Sequence, residues 1–197
     1  MDHPDKMFED LKLADQRSQI AYTRYLCELY LKDHPDHGPT LIRYACNLIY
    51  LAQYSTADAV LDHAQKIVPK ERIHLVLAQR GHLLKAMGDY SLAEEWFLQA
   101  HDLDPDDAAY LIYAGSAAFD RGDIERAIQL ARQAVECPAG CIDEAWFNLG
   151  GYLLSEQQYR EAEDCYRKAL EIDPNYKVAK ERLADVELIL RDQGSQS

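Results

Sequence analysis

Apolar residues recur three and four apart along most of this chain, the spacing that gathers them on one face of an α-helix. Proline cuts the pattern at regular intervals. Pro35, Pro69, Pro105 and Pro174 are separated by 34, 36 and 69 residues, the last about two units. Proline donates no backbone hydrogen bond and restricts the residue before it, so each marks the end of a helix. Between prolines each stretch holds two striped segments with a break in the middle. The breaks fall at Met87-Gly88-Asp89-Tyr90 and Arg121-Gly122-Asp123-Ile124, where glycine suits a left-handed helix end. In the flanking units Gln53 and Gln157 lie near the equivalent place. The spacing predicts pairs of helices, A and B, repeating about every 34 residues.

Residues 143–176 hold the clearest unit, with Trp146-x2-Leu149-Gly150-x2-Leu153, then Ala162-x3-Tyr166, Ala169 and Pro174. Residues 74–107 give Leu77, Gly81, Leu84, Ala93-x3-Phe97, Ala100 and Pro105. Residues 108–142 give Leu111, Ala114-Gly115, Ala118, Ala127-x3-Ala131 and Ala134, with Cys137-Pro138-Ala139-Gly140 in place of the usual proline and one extra residue. Residues 38–73 give Leu41, Tyr44-Ala45, Leu48, Ala57-x3-Leu61, Ala64 and Pro69. This resembles the tetratricopeptide repeat (TPR), whose signature is W-x2-L-G-x2-Y, A-x3-F and P over 34 residues. The resemblance implies an all-α helical-hairpin solenoid, a right-handed superhelix, with four clear repeats at 38–73, 74–107, 108–142 and 143–176.

Two ends remain. Residues 177–191 form a periodic helix with Val178, Leu183, Val186, Ile189 and Leu190, the capping helix such an array needs to cover its last apolar face. Residues 192–197, DQGSQS, read as a disordered tail. At the other end, 1–37 is an N-terminal cap. Within it Phe8, Leu11, Ala14, then Ala21-x3-Tyr25, Glu28 and Leu29 read either as a degenerate repeat or as one long helix.

Composition narrows the function. The chain has 197 residues, 48% hydrophobic and 28% charged, with only 9 Gly and 7 Pro, which fits a folded helical protein. Its net charge of −13 repels phosphate backbones and anionic lipid, so nucleic acid and membrane insertion are not expected. With no secretory pattern at the N-terminus and five irregularly spaced cysteines, a cytoplasmic protein is expected.

No catalytic constellation is present: there is no G-x-S-x-G, phosphate loop or HExxH, so no enzyme and no cofactor are expected. Cys137-x3-Cys141 supplies at most half of a metal site, and four ligands are the norm for zinc. It reads as a long inter-repeat turn, as does His34-x2-His37. Arg80 stands where an aliphatic residue is usual, so it must find an acidic partner or face a ligand.

The resemblance also implies where a partner would dock. TPR arrays bind on the concave surface lined by A helices. Here the corresponding positions supply Arg43, Tyr50, Gln79, His82, Lys85, Tyr113, Phe119, Phe147 and Asn148 as the candidate groove residues, with Tyr50, Tyr113, Phe119 and Phe147 as anchors. The carboxylate clamp that TPR proteins use for chaperone C-termini needs Lys, Asn, Asn, Lys and Arg where this chain has Ile42, Cys46, Gln79, Ala109 and Tyr113, so that mode is disfavoured. The expected function is a non-enzymatic protein-interaction adaptor holding a peptide or helix of a partner protein. The rival is a self-assembling scaffold or chaperone-like subunit acting as a homo-oligomer.

Overall fold

In the structure, a computed structural model, residues 4–195 are described, with side chains described from 6 to 194. The described residues form eleven α-helices: α1 (Pro4–Gln16), α2 (Ile20–Asp33), α3 (Gly38–Tyr50), α4 (Tyr54–Ile67), α5 (Ile73–Ala86), α6 (Tyr90–Leu103), α7 (Ala109–Asp120), α8 (Ile124–Ala134), α9 (Ile142–Ser155), α10 (Tyr159–Ile172) and α11 (Lys177–Ser195). Contacts divide the chain into two compact units, Met1–Trp96 and Phe97–Ser197, with the boundary inside α6. In the first, α1 packs on α2, α2 on α3, α3 on α4, and α5 on both α3 and α4. In the second, α7 packs on α8, α8 on α9, α9 on α10 and α10 on α11.

One turn recurs five times. Ser18, Ala52, Gly88, Gly122 and Gln157 have φ between 53° and 88°, and they stand 34, 36, 34 and 35 residues apart. The next residue in each case donates its N–H back to the first helix: Gln19 to Ala14, Gln53 to Leu48, Asp89 to Leu84, Asp123 to Ala118 and Gln158 to Leu153, at 2.8–3.0 Å. This is the Schellman closure of a helix end, which satisfies carbonyls the helix leaves open. The left-handed residue of the second hairpin is therefore Ala52, one position before the expected Gln53. The fifth is Gln157 as expected.

The same turn appears between α1 and α2, so the N-terminal segment is two helices. Its register differs from the sequence expectation. Ala21 is exposed and Tyr25 is 51% exposed, whereas Thr23 and Cys27 are buried at 1% and 0%. Thr23 lies four residues after Gln19 and accepts its place through the same backbone bond that Ala57, Ala93, Ala127 and Ala162 make in later hairpins. The A-x3-F equivalent is thus Thr23-x3-Cys27, two residues beyond Ala21-x3-Tyr25.

Small and large residues alternate between one A-helix and one B-helix position. Gly150 faces Tyr166: a Cβ on Gly150 would lie 2.8 Å from the ring. Ala45 and Leu61 hold the equivalent sequence positions in the second hairpin, and in the fourth Gly115 and Ala131 are both small. In the first hairpin the sizes are exchanged, with Leu11 on α1 and Cys27 on α2, both fully buried. The helices need one small residue at the crossing, and either helix can supply it. That exchange is why the A-helix pattern is missing from residues 5–16.

The long turn before α9 is strapped down. Ala108 donates to the Ala139 carbonyl and Ala139 to the Asp106 carbonyl, both at 3.0 Å. Gly140, at φ 93°, lies so close to Asp107 and Ala108 that a side chain would collide with both. At the C-terminus α11 continues through Asp192 to Ser195, so the helix extends past the expected start of the tail; Gln196 and Ser197 lie outside the described residues. Val186 of α11 is fully buried, and α11 packs on α10.

Two stability predictions follow from the crossing and the turn. Gly150→Ala should destabilise by about 1–3 kcal/mol, because the Tyr166 ring is fully buried and has nowhere to move. Gly115→Ala should be neutral or stabilise by up to about 1 kcal/mol, since its Cβ would find ordinary contacts at 3.6–3.7 Å. Urea unfolding separates the two. Ala52→Gly and Gln157→Gly should each raise the urea midpoint, because an L side chain in a left-handed turn costs about 1 kcal/mol; an unchanged midpoint would mean the turn carries no strain.

Candidate functional site

The A helices pack one face on their B helices and leave another available. In the first unit that face includes a hollow of about 280 Å³ lined by Asp15, Pro39, Ile42, Arg43, Cys46, Arg72, Leu75 and Gln79. Helices α1, α3 and α5 all contribute. Two of the expected groove residues, Arg43 and Gln79, meet here. Arg43 Nε donates to Asp15 Oδ2 at 2.8 Å, and the pair is part-buried. Gln79 Oε1 is buried without a hydrogen-bond partner. Two arginines and one aspartate leave the hollow with a positive balance.

Tyr50 ends α3 with 74% of its surface exposed, the most exposed large hydrophobic residue described. His82 is partly buried on α5, one turn before Lys85. Burial first, and then the Lys85 charge, holds its pKa down at about 4. It is a neutral imidazole across the physiological range.

The second unit's A helices carry rings. Phe119, 37% exposed, stacks on Tyr152 at 4.9 Å between centroids. Tyr113 packs against Phe97 at 5.4 Å. Phe147 sits 5.7 Å from Tyr166 and 5.0 Å from Tyr176, and Asn148 beside it is partly buried. Tyr113 and Phe147 therefore do packing work, while Tyr50 and Phe119 offer open surface. Asp15, Arg72, Tyr152 and Tyr176 are neighbours that the repeat positions alone did not single out. Asp15 escaped because the first hairpin's phase was hidden; Tyr176 is the final residue of the last repeat, outside its A helix.

Arg80 is structural. Its guanidinium donates to Asp58 Oδ1 at 3.0 Å, Asp62 Oδ1 at 2.5 Å and Gln65 Oε1 at 3.2 Å, and it stands 5.5 Å from the Trp96 ring. Its side chain is only 13% exposed, so both carboxylates of α4 compensate its burial. Cys137 rests its thiol on the Pro105 and Gln133 carbonyls at 3.8 and 3.7 Å, and Cys141 is exposed at the start of α9. Burial and then nearby carboxylates push both thiols up, the opposite of what a nucleophile or metal ligand needs. Among the described residues no group of three His, Cys, Asp or Glu is placed to hold a metal ion. None of the described helices is long and apolar enough to cross a membrane.

His82 makes stability depend on pH. Its pKa falls from 6.5 in the unfolded chain to about 4 in the fold, so below pH 6.5 the unfolded chain binds the extra proton. Stability is lost as pH falls from about 6.5 to about 4 and then levels off. His82→Gln should remove about 1–2 kcal/mol of the loss between pH 7 and pH 5, read from urea midpoints at the two values; equal losses in both proteins would show that His82 is not the source.

Tetratricopeptide repeat profiles match residues 79–140 and 143–176. The chain is 32% identical over 108 residues to small glutamine-rich tetratricopeptide repeat-containing protein 2 of Mycosarcoma maydis, over 55% of this chain and 30% of that protein. It is 32% identical over 100 residues to human tetratricopeptide repeat protein 7A, over 51% of this chain and 12% of that one. It thus spans under a third of the length of these curated relatives. Among solved structures, a thermophilic TPR protein of Thermus thermophilus superposes with a TM-score of 0.78 at 19% identity, over 94% of this chain and all of that one. The first TPR of Spaghetti, solved with the HSP90 peptide SRMEEVD, gives 0.58 at 24% identity over 62% of this chain and 99% of that one. With the repeated turn and the profile matches in agreement, residues 79–140 and 143–176 of this chain are tetratricopeptide repeats.

Proposed function

We propose that the chain is a non-enzymatic adaptor that holds a peptide or helix of a partner protein against the exposed face of its A helices. The observation that carries this reading is an open aromatic on an A helix of each unit, Tyr50 in the first and Phe119 in the second. Large rings left in water cost free energy, and rings that a partner can cover dominate interface energies. The hollow beside Arg43 and Gln79 adds hydrogen-bonding groups of the kind that orient an extended backbone: two guanidinium donors and a buried amide oxygen still lacking a donor. A similarly folded TPR domain solved with a bound peptide supports the mode.

The variant that tests this is Tyr50→Ala with Phe119→Ala, since Tyr113 and Phe147 are built into the packing. Affinity capture from the native source, quantified by mass spectrometry, should lose specific partners by about tenfold or more in the double variant, the range expected for removing anchor residues. The helical circular dichroism and the urea midpoint should stay within error of the wild type. Undiminished capture would overturn the reading.

A further inference from the structure

Besides the hollow on α1, α3 and α5, the first unit has a larger cavity of about 420 Å³ on α4, α5 and α6. The two share no lining residue. Successive residues of α5 divide them, Gln79 lining the hollow and Arg80 the cavity, because neighbours on a helix point about 100° apart. The cavity wall is apolar, built from Tyr54, Leu83, Leu84, Met87, Leu92 and Trp96. Leu83 is buried, whereas Met87 is 58% and Leu92 42% exposed. Side-chain bonds hold the three helices in place around it. Arg80 of α5 reaches Asp58, Asp62 and Gln65 on α4 and lies against the Trp96 ring of α6, and the Tyr54 hydroxyl of α4 donates to the Ala86 carbonyl of α5 at 3.3 Å. The cavity is thus formed before any ligand arrives, and its volume falls in the range, about 300–1,000 Å³, of sites that hold organic groups.

The repeat does not require this surface to be apolar. Met87 and Leu92 stand one before and four after the left-handed Gly88. Relative to their own left-handed residues, the other hairpins have Arg17, Leu51, Arg121 and Glu156 at the first place, and Tyr22, Thr56, Arg126 and Glu161 at the second. The third hairpin alone carries an apolar chain at both. The hollow beside the Gly122 turn is lined instead by polar groups that include Asp123, Glu125, Gln129, Arg132 and Glu156. Exposed aliphatic chains at the mouth of an apolar cavity gain free energy when another apolar group covers them. Charge says which group. Hydrogen bonds place one guanidinium and three carboxylates at this cavity: Arg80, its partners Asp58 and Asp62, and Asp89, whose Oδ1 accepts from the Leu92 N–H at 3.2 Å at the start of α6. An apolar group with a cation beside it complements that balance, and one with an anion is repelled by it.

We propose that this cavity is a second docking site, which takes a large aliphatic side chain from a basic segment of a partner protein, the aliphatic group seated on Met87, Leu92 and Trp96 and a neighbouring Lys or Arg meeting Asp58 and Asp89. The inference is independent of the A-helix reading and adds to it. With the hollow and the cavity on different sides of α5, one chain holds two segments at the same time.

The test is an NMR titration of the isotope-labelled full chain with the capped peptide Gly-Lys-Leu-Leu-Lys-Gly near physiological salt. Trp96 gives one of two indole N–H signals, and Trp146→Phe assigns it. Shifts should gather on the Trp96 indole and on the backbone of 54–58 and 83–92, and should persist in Tyr50→Ala with Phe119→Ala. Met87→Arg with Leu92→Arg should weaken binding by about tenfold or more, as expected for removing anchor contacts; the fold accepts this pair, since the fourth hairpin carries it at Arg121 and Arg126. Ala184→Arg with Leu188→Arg makes the same change in net charge on exposed positions of α11 and should alter affinity by less than about twofold. Asp89→Asn keeps a capping side chain, removes one charge and should cost a smaller factor. Peptides with Ser in place of Leu, or Glu in place of Lys, should bind about tenfold more weakly or worse. No binding of the Lys-Leu peptide would overturn the inference, as would equal affinity for the Ser or Glu peptide, or equal losses in the two arginine doubles. Shifts that gather instead on Arg43 and Gln79, or vanish with Tyr50→Ala and Phe119→Ala, would sink the second site and leave the adaptor reading standing.

Discussion

Everything in this fold depends on how closely helix A and helix B of one hairpin can approach. The approach needs one side chain at the crossing to be nearly absent, and it needs the chain to reverse within three residues. Gly150 against Tyr166 shows the first requirement at its limit, because the phenol ring occupies the space a Cβ would take. The left-handed residue at each turn shows the second, with the same back-directed hydrogen bond closing all five hairpins. Once both are met, the two helices of a hairpin pack together, as α1 does on α2, α3 on α4, α7 on α8 and α9 on α10. Core residues are accordingly small and evenly spread: Ala45, Ala57, Ala64, Ala93, Ala100, Ala114, Ala127, Ala134, Ala162 and Ala169 are all fully buried.

That constraint explains how much was legible in the sequence. The repeat length and the glycine turns at Gly88 and Gly122 follow directly from spacing, because the backbone geometry admits few residue types there. The N-terminal hairpin was harder. Its crossing uses Leu11 on the A helix and Cys27 on the B helix, so the small-residue position that announces an A helix is filled by a leucine. Ala21 then offered a false register, since alanine is common on exposed helix faces and only burial distinguishes it from Thr23. The shift from Gln53 to Ala52 has a similar origin: without glycine, nothing in composition marks which of two adjacent residues takes the left-handed conformation.

The candidate site was legible as positions and less so as environments. A repeat phase says which residues lie on the A-helix face, and it placed Arg43 and Gln79 on one hollow. It does not say what a side chain meets. Phe147 turns toward Tyr166 and Tyr176, and Tyr113 toward Phe97, so two expected anchors are largely engaged in packing. Tyr152 lies off the expected groove positions and still stacks on Phe119, because aromatic rings are long enough to reach across to the neighbouring A helix. Arg80 was flagged as anomalous, and its resolution required two carboxylates one helical turn apart on α4, a match visible only once α4 and α5 are packed.

Ion pairs in this chain connect helices more than they stabilise any one of them. Arg43 on α3 reaches Asp15 on α1, Arg80 on α5 reaches Asp58 and Asp62 on α4, Arg132 on α8 reaches Glu161 on α10, and Arg167 on α10 reaches Glu187 on α11. The exposed pairs among these contribute at most about 1 kcal/mol each, too little to explain their arrangement by stability alone; Arg80, 13% exposed, is the buried exception. Their effect is to tie one helix to another, α3 to α1, α5 to α4, α8 to α10 and α10 to α11, so that within each unit the choice of which helices lie together is set by charge as well as by packing.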